Sequence, residues 1–424
     1  MKLALLFLSI GAYAGAGLAF ITQVILARTL SLEDFGAFSA ALSLVTLVTP
    51  LASFGVGMFW LRAFGEEGIQ ALRWIKPSVK FTLLSIVLIL TVIYLWAFFA
   101  PHSDSTRNLQ LIFSLFILGQ VAIELASSIY QLEERYVNLA AWQFLPHAMR
   151  FVFLMFSLWV FSSQKLTAIN VAFIYVFVAV IMFLVGGKLV LKACKGNLSL
   201  VGHALTLDRA KFNSQPSVIN VLSESWPFGL LSVFFLIHFQ SSIILVSYIL
   251  GNEAAAKYSV VIIIMTGIYM FPGLIYQKLL LPKIHRWANQ DRKKLKQVYL
   301  KGNFLMLILG IVIAGTVLLV APYAIPIVFG DKYVDVMLIL SIFAFAIPIK
   351  FVAASVGAVL TTGAHVITKV KYMGIIAFAN VLLSFLLIGV VGITGVAYAA
   401  LISEGLLLII YYYAVNKFVF EKGM

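Results

Sequence analysis

The chain has 424 residues, of which 62% are hydrophobic and only 11% are charged. A soluble domain of average composition carries about 25% charged residues, so this composition excludes a soluble globular protein and predicts a polytopic membrane protein. In a membrane protein, the positions of the charges matter more than the net charge of +14, which is therefore not taken as a sign of nucleic-acid binding. The single cysteine, Cys194, excludes a disulfide framework and a thiol-rich metal site.

The chain begins with an apolar run from Leu3 to Ala27. No small-residue cleavage site closes a short apolar core there, so we expect a membrane span and not a cleaved signal peptide. Windows of about 20 apolar residues, the length that crosses a bilayer, recur throughout the chain. They predict twelve spans near 3–27, 36–61, 78–100, 109–131, 139–161, 168–191, 222–250, 257–281, 300–321, 334–361, 370–390 and 393–415.

The distribution of lysine and arginine predicts the direction of these spans. With the amino terminus inside, 23 of the 30 basic residues fall in cytoplasmic segments, five fall in external segments, and Arg150 and Lys350 fall within spans. This bias follows the positive-inside rule and places both termini in the cytoplasm. The basic run "DRKKLKQVYLK" (291–301) is then most simply an orienting charge cluster, with specific lipid recognition as the alternative.

The chain contains a weak internal repeat. "ARTLSLEDFGAFSAALSL" (27–44) matches "SYILGNEAAAKYSVVIII" (247–264) at a separation of 220 residues, and "LQLIFSLF" (109–116) matches "VMLILSIF" (336–343) at 227. We therefore predict two six-helix bundles, 1–191 and 222–424, joined by a cytoplasmic linker over 192–221. Because six is even, both bundles point the same way, which favours a pseudo-twofold axis along the membrane normal and transport by alternating access.

The repeated segments also resemble a known family. "ILARTLSLEDFGAFSAALSLVTLVTPLASFG", "LVSYILGNEAAAKYSVV", "LLLPKIHR", "FGDKYVDVMLIL" and "VVGITGVAYAALIS" resemble the polysaccharide transporters, the Wzx-type flippases of the MOP superfamily. The resemblance implies a MOP/MATE-like transporter fold in the bacterial inner membrane and no cofactor. It also implies that the substrate is an undecaprenyl-diphosphate-linked oligosaccharide, such as an O-antigen unit of lipopolysaccharide. Membrane lipids and other polysaccharide-assembly membrane proteins are the further partners expected.

Ionisable residues are rare within the predicted spans, and most lie near the middle of the bilayer. They are Glu124, His147, Arg150, His238, Lys350 and Glu404. Intramembrane charges face a bundle interior or a wet cavity and pair with one another or with a substrate. We expect Arg150 and Lys350 to bind the anionic headgroup, since arginine and lysine are suited to diphosphate oxygens. The alternative is that both cations pair internally with Glu124 and Glu404.

The remaining residues admit two interpretations each. Glu124 and Glu404 are candidates for a coupling proton or cation, or for structural charge pairs. His238 is a candidate substrate contact or a hydrogen-bonded core histidine. Arg62 lies at the end of the second span and is either a headgroup contact or an orienting charge. Arg28 lies at the end of the first span and is either a substrate contact or one half of a salt bridge with Glu33.

Two other functions compete with the flippase. A proton- or sodium-coupled drug antiporter would favour unpaired acidic groups, whereas the deep charges here balance, two carboxylates against two cations. A polysaccharide polymerase or transferase would carry a large external loop or a catalytic motif. The external connectors are short, and no H-E-x-x-H, D-x-D or P-loop motif is present, so we expect a transporter and not an enzyme.

Overall fold

The computed structural model describes residues 2–100, 104–160, 166–200, 215–273, 275–276, 280, 284, 287, 291–360 and 366–421. These residues are helical almost throughout, as the apolar windows predict. Part of the predicted linker (201–214), most of "LLLPKIHR" (279–286) and the basic residues within both lie outside the described residues. The helices are α1 Lys2–Thr29, α2 Leu32–Ser53, α3 Val56–Glu67, α4 Ile75–Phe99, α5 Asp104–Ser114, α6 Phe116–Leu132, α7 Tyr136–Val160, α8 Ala168–Cys194, α9 Val218–Leu250, α10 Asn252–Gly273, α11 Arg292–Phe329, α12 Val336–Val359, α13 Val366–Val391 and α14 Ile393–Ala414.

Eleven helical stretches of the described residues are long and apolar enough to cross a membrane. One of them, Leu32–Phe99, is 68 residues long and contains two of the predicted spans. In every predicted window, the described residues lie largely on helix. Their outward faces are apolar, as a lipid environment requires. On α4, for example, Leu84, Val87 and Leu88 are each more than half exposed, whereas Ile86 and Ile89 are buried.

The second and fourth predicted spans are broken in the structure. The second window divides into α2 and α3 at Phe54 and Gly55, whose φ angles are 41° and 76°. Pro50 does not itself end α2, because its carbonyl still accepts the Phe54 N–H at 2.7 Å. The fourth window divides into α5 and α6 at Leu115. By contrast, α12 continues unbroken through Pro348.

The described chain forms two compact units. Unit 1 comprises Met1–Leu30 and Ala41–Val233, and unit 2 comprises Ser31–Ala40 and Phe234–Met424. Helices α2 and α9 each contribute residues to both units. The domain boundaries inferred from the sequence, at residues 191 and 222, stay a prediction.

Unit 1 is built on close helix packing. α6 packs against α8, and α1 packs against α7. The small residues Gly11 and Gly15 of α1 face α7, where a Cβ on Gly11 would lie 3.1 Å from the Cβ of Ala140. Glycines at such positions let two backbones approach closely. Trp142 closes the core between α6, α7 and α8 and donates its Nε1–H to the Ile123 carbonyl at 3.2 Å.

We predict that Gly119→Ala destabilises unit 1. A Cβ at Gly119 would lie 2.5 Å from the Cα of Ala179 on α8, so the backbones must separate to admit it. Overpacking of this kind costs about 1–3 kcal/mol, and the midpoint of thermal unfolding in detergent should fall. Gly187→Ala is the matched control, since nothing lies within 4 Å of its added Cβ. Equal midpoints for the two variants would contradict this packing.

Unit 2 is centred on α12, which packs against α10, α11 and α14. Gly310 of α11 lies against Pro348, and Gly357 lies against the ring of Tyr411 on α14. The start of α2 joins this core through Phe35 and Phe38, which are fully buried. It also brings the two repeated segments together, because Glu33 accepts a hydrogen bond from Asn252 Nδ2 at 2.6 Å.

Candidate functional site

Arg150 is a buried cation in unit 1 with an aromatic environment. It lies on α7, one turn after Pro146, and is 9% exposed. Its guanidinium carbon lies 5.0 Å from the centre of the Phe116 ring and 4.8 Å from that of Tyr175. Stacking on two rings offsets part of the cost of burying the charge, by about 0.5–2 kcal/mol for each ring.

No carboxylate of the described residues balances the charge of Arg150. Among the described residues no Asp or Glu oxygen lies within 4.0 Å of its guanidinium. Its buried Nε has no hydrogen-bond partner in that part of the chain. A buried cation without a counterion is costly to the fold.

Glu124 lies on α6 in the same unit, and it contacts Ser53 and not Arg150. Ser53, the last residue of α2, donates its hydroxyl to Glu124 Oε2 at 2.6 Å. Within the described ranges no Lys, Arg or His nitrogen lies within 4.0 Å of this carboxylate. The pairing of Arg150 with Glu124 considered from the sequence is thus not formed.

The other two arginines of interest lie near the surface of unit 1. Arg62 forms ion pairs with Glu224 and, at 3.8 Å, with Glu66. Its guanidinium also lies over the Phe59 and Phe228 rings. Because two carboxylates already balance it, Arg62 has less charge to offer an anionic ligand. Arg28 is exposed in the last turn of α1, where a cation interacts favourably with the helix dipole.

In unit 2, three of the predicted residues come together around one oxygen atom. Glu404 Oε1 accepts a hydrogen bond from Lys350 Nζ at 2.5 Å and lies 3.0 Å from His238 Nε2. Side chains of α9, α12 and α14 therefore meet at this point. The side chain of Glu404 is only 5% exposed. The Lys350 ammonium also lies 4.7 Å from the centre of the Phe239 ring and 5.7 Å from that of Tyr269.

A small recess borders this cluster. Its walls include Glu404 and His238 together with hydroxyl groups, and the polar residues lining it are Ser242, Tyr258, Thr266 and Tyr269. The recess is large enough to admit water. Several buried polar atoms nearby have no protein partner among the described residues, including His238 Nδ1, Tyr269 Oη and Glu404 Oε2. Buried polar atoms of this kind take water as their partner.

The aromatic residues of both sites could not be identified from the sequence. Phe116 and Tyr175 lie beside Arg150, and Phe239 and Tyr269 lie beside Lys350. Aromatic residues make up 14% of the chain, so no pattern singled out these four. The described residues contain no group of three or more His, Cys, Asp or Glu side chains that could hold a metal ion.

Comparison with known proteins shows the family of the chain. Residues 4–288 match the profile of the polysaccharide biosynthesis protein family. Comparison with curated proteins gives no match. Among solved structures, the chain is similar to the lipid II flippase MurJ in an inward closed conformation, with a TM-score of 0.73 and 14% identity over 97% of this chain and 88% of that one.

Two drug transporters show the same likeness. A multidrug resistance MATE family transporter of the MOP superfamily, in an inward-facing conformation, gives a TM-score of 0.72 and 12% identity over 93% of this chain and 92% of that one. The MATE multidrug transporter DinF-BH gives a TM-score of 0.63 and 15% identity over 98% of this chain and 95% of that one. At these identities the likeness shows the fold. The chain belongs to the polysaccharide biosynthesis protein family, and its fold is that of the MOP-superfamily transporters.

Proposed function

We propose that this protein is a flippase that moves undecaprenyl-diphosphate-linked oligosaccharide from the cytoplasmic to the outer leaflet of the bacterial inner membrane by alternating access. The observation that carries the proposal is Arg150, a buried cation with no carboxylate partner in the described chain. A diphosphate supplies the missing negative charge and several acceptor oxygens, and arginine can bind two of them at once.

The substrate chemistry also explains why a protein is needed. Sugar hydroxyls and a diphosphate that enter hydrocarbon unaided leave many polar groups without hydrogen bonds, each at a cost of several kcal/mol. A flippase provides a polar path for these groups while the polyprenyl tail stays in lipid. The family match supports this class of substrate over a small drug.

Electrostatics favours export. In a cell with a negative interior, a headgroup of about two negative charges gains about 4–5 kcal/mol per 100 mV as it moves outward, at about 2.3 kcal/mol per charge. The membrane potential alone can therefore drive export of the headgroup when its negative charge moves uncompensated.

The proposal predicts flipping by the purified protein alone. Proteoliposomes should move an undecaprenyl-diphosphate-linked oligosaccharide, carrying a fluorophore on its sugar, between leaflets, as measured by quenching with an impermeant reductant. Protein-free vesicles set the background. We expect rapid loss of the protected fraction in a protein-dependent manner, faster when the potential favours outward movement of negative charge. Ethidium efflux driven by a proton or sodium gradient, without flipping of the labelled lipid, would instead identify a drug antiporter.

A further inference from the structure

Helix α11 is longer than the hydrocarbon core of a bilayer. It runs for 38 residues, Arg292–Phe329, or about 57 Å, whereas the core is about 30 Å thick. From Phe304 to Tyr323, which are both exposed, the helix rises about 29 Å, enough to cross that core. Tyrosine is common at a membrane interface. About three turns of α11 before Phe304 therefore extend beyond the hydrocarbon, on the side predicted to be cytoplasmic.

Four lysines on these turns are exposed and have no carboxylate partner in the described chain. They are Lys293, Lys294, Lys296 and Lys301. Among the described residues, no Asp or Glu oxygen lies within 4.0 Å of their ammonium groups. Asp291, the nearest acidic residue in the sequence, caps the helix and accepts the backbone N–H of Lys294 at 2.9 Å. The positive charge of these turns is thus presented outward.

Three of the lysines share the face of α11 that contacts lipid. Residues seven apart lie nearly in line along a helix, because seven residues make almost two turns. Lys294 and Lys301 are seven apart, and their line continues to Ile308, which is exposed. Lys293 lies about three turns before Phe304, which is 65% exposed. The basic surface therefore runs directly into the lipid-facing apolar surface of the same helix.

Lys296 lies on a different face. Its line continues through Asn303 and Gly310, which are both buried, and Gly310 packs against Pro348 of α12. An orienting charge has only to lie on the correct side of the membrane, and all four lysines satisfy that condition. Orientation therefore does not account for the alignment of the other three lysines with the lipid-facing surface.

An aromatic residue marks the same level of the membrane. Lys294 Nζ lies 5.6 Å from the centre of the Trp287 ring, and tryptophan is enriched at membrane interfaces, at the level of the headgroups. Lysine lays its methylene groups along apolar surface and keeps its ammonium in the polar layer. The ammonium groups are therefore at the depth of lipid phosphates and not of acyl chains.

We propose that Lys293, Lys294 and Lys301 form a binding site for an anionic phospholipid of the inner leaflet. Its phosphate contacts the lysines, and its acyl chains lie along Phe304 and Ile308. Three cations select a lipid of net negative charge over a zwitterionic lipid, whose own cation they repel. The site belongs to unit 2, and it does not depend on the substrate proposed above.

The test is the affinity for two phospholipids that differ in net charge. Full-length protein in neutral detergent is titrated with dioleoyl phosphatidylglycerol and with dioleoyl phosphatidylcholine, and the bound lipids are counted by native mass spectrometry. We expect the wild type to bind phosphatidylglycerol at least about tenfold more tightly. Each lysine near an anionic lipid contributes about fivefold. The triple variant Lys293→Gln, Lys294→Gln, Lys301→Gln should therefore lose this preference.

A matched pair of single variants separates a site from net charge. Lys301→Gln and Lys296→Gln each remove one exposed cation of α11, and they differ in the face that loses it. We expect Lys301→Gln to weaken phosphatidylglycerol binding about fivefold and Lys296→Gln to change it less than about twofold. This pair decides the question by itself if the triple variant has a lowered thermal midpoint.

Three results would overturn the inference. Equal losses in Lys301→Gln and Lys296→Gln would show that only the total charge matters. A preference for phosphatidylglycerol that survives in the triple variant would place the lipid elsewhere. Tighter binding of undecaprenyl diphosphate than of phosphatidylglycerol, lost in the same triple variant, would identify a substrate site in place of a phospholipid site.

Discussion

Lys350→Met is expected to destabilise the protein by several kcal/mol. The substitution leaves the buried carboxylate of Glu404 without its cation, and His238 remains as its one hydrogen-bonding neighbour among the described residues. Removing one partner of a buried ion pair typically costs about 3–5 kcal/mol, far more than the pair itself contributes. The measurement is the midpoint of thermal unfolding in detergent, supported by the fraction of protein that remains monodisperse after heating.

A double-mutant cycle isolates the pair. Glu404→Gln combined with Lys350→Met removes both charges, so the double variant should recover most of the stability that Lys350→Met loses. Lys301→Met, which removes an exposed lysine of α11, is the control and should have little effect. If the two single changes were additive in the double variant, Lys350 and Glu404 would not form the pair that the structure shows.

Arg150→Met is expected to have the opposite effect on stability and the largest effect on transport. Here the substitution removes a buried charge that no carboxylate of the described chain balances, and methionine retains contact with Phe116 and Tyr175. The thermal midpoint of the variant should therefore equal or exceed that of the wild type. Functional residues are often retained although they lower the stability of the fold, and their replacement then stabilises it. Flipping of the labelled lipid should fall by at least about tenfold, since charge-assisted hydrogen bonds contribute about 1.5–3 kcal/mol.

The contrast between the two cations separates a functional residue from a structural one. Arg107→Met is the matched control, because Arg107 pairs with Asp104 at the exposed start of α5 and is far along the chain from α7. It should change neither stability nor flipping appreciably. A marked loss of stability in Arg150→Met would show that Arg150 holds unit 1 together and would remove the reason to assign it to the substrate.

The helices could be predicted from the sequence because hydropathy reports directly on the membrane. A run of about 20 apolar residues has one stable solution in lipid, a helix that satisfies its own backbone hydrogen bonds. The described parts of all twelve windows accordingly fall largely on helix. The positions of the breaks are less predictable, because hydropathy does not report them: the second span leaves the helix at Phe54 and Gly55, four residues after Pro50.

The candidate sites were predictable in part. Intramembrane charge is expensive enough to single out Arg150, Lys350, His238 and Glu404 without any structure. Which charges pair depends on packing between helices distant in sequence, and the local pattern carries no information on it. Composition therefore suggested a balance of two cations and two carboxylates, whereas the structure pairs Lys350 with Glu404 and leaves Arg150 on aromatic rings.

Stacked aromatic rings were the least predictable feature. Phe116, Tyr175, Phe239 and Tyr269 look like ordinary span residues, because lipid-facing and cation-contacting aromatic side chains have the same hydropathy. Their role emerges only when α6, α7 and α8 pack together in unit 1, and when side chains of α9, α10 and α12 meet around Lys350 in unit 2. An aromatic pair beside a deep cation is a pattern that could be sought in structures of other family members.

The central claim is that Arg150 recognises the diphosphate of the substrate, and a comparison of headgroups tests it most directly. Affinities of the wild type and Arg150→Met are measured for undecaprenyl diphosphate and undecaprenyl monophosphate in nanodiscs. The wild type should prefer the diphosphate by at least about tenfold, and Arg150→Met should lose most of that preference while retaining affinity for the shared polyprenyl chain. An undiminished preference in Arg150→Met would contradict the claim.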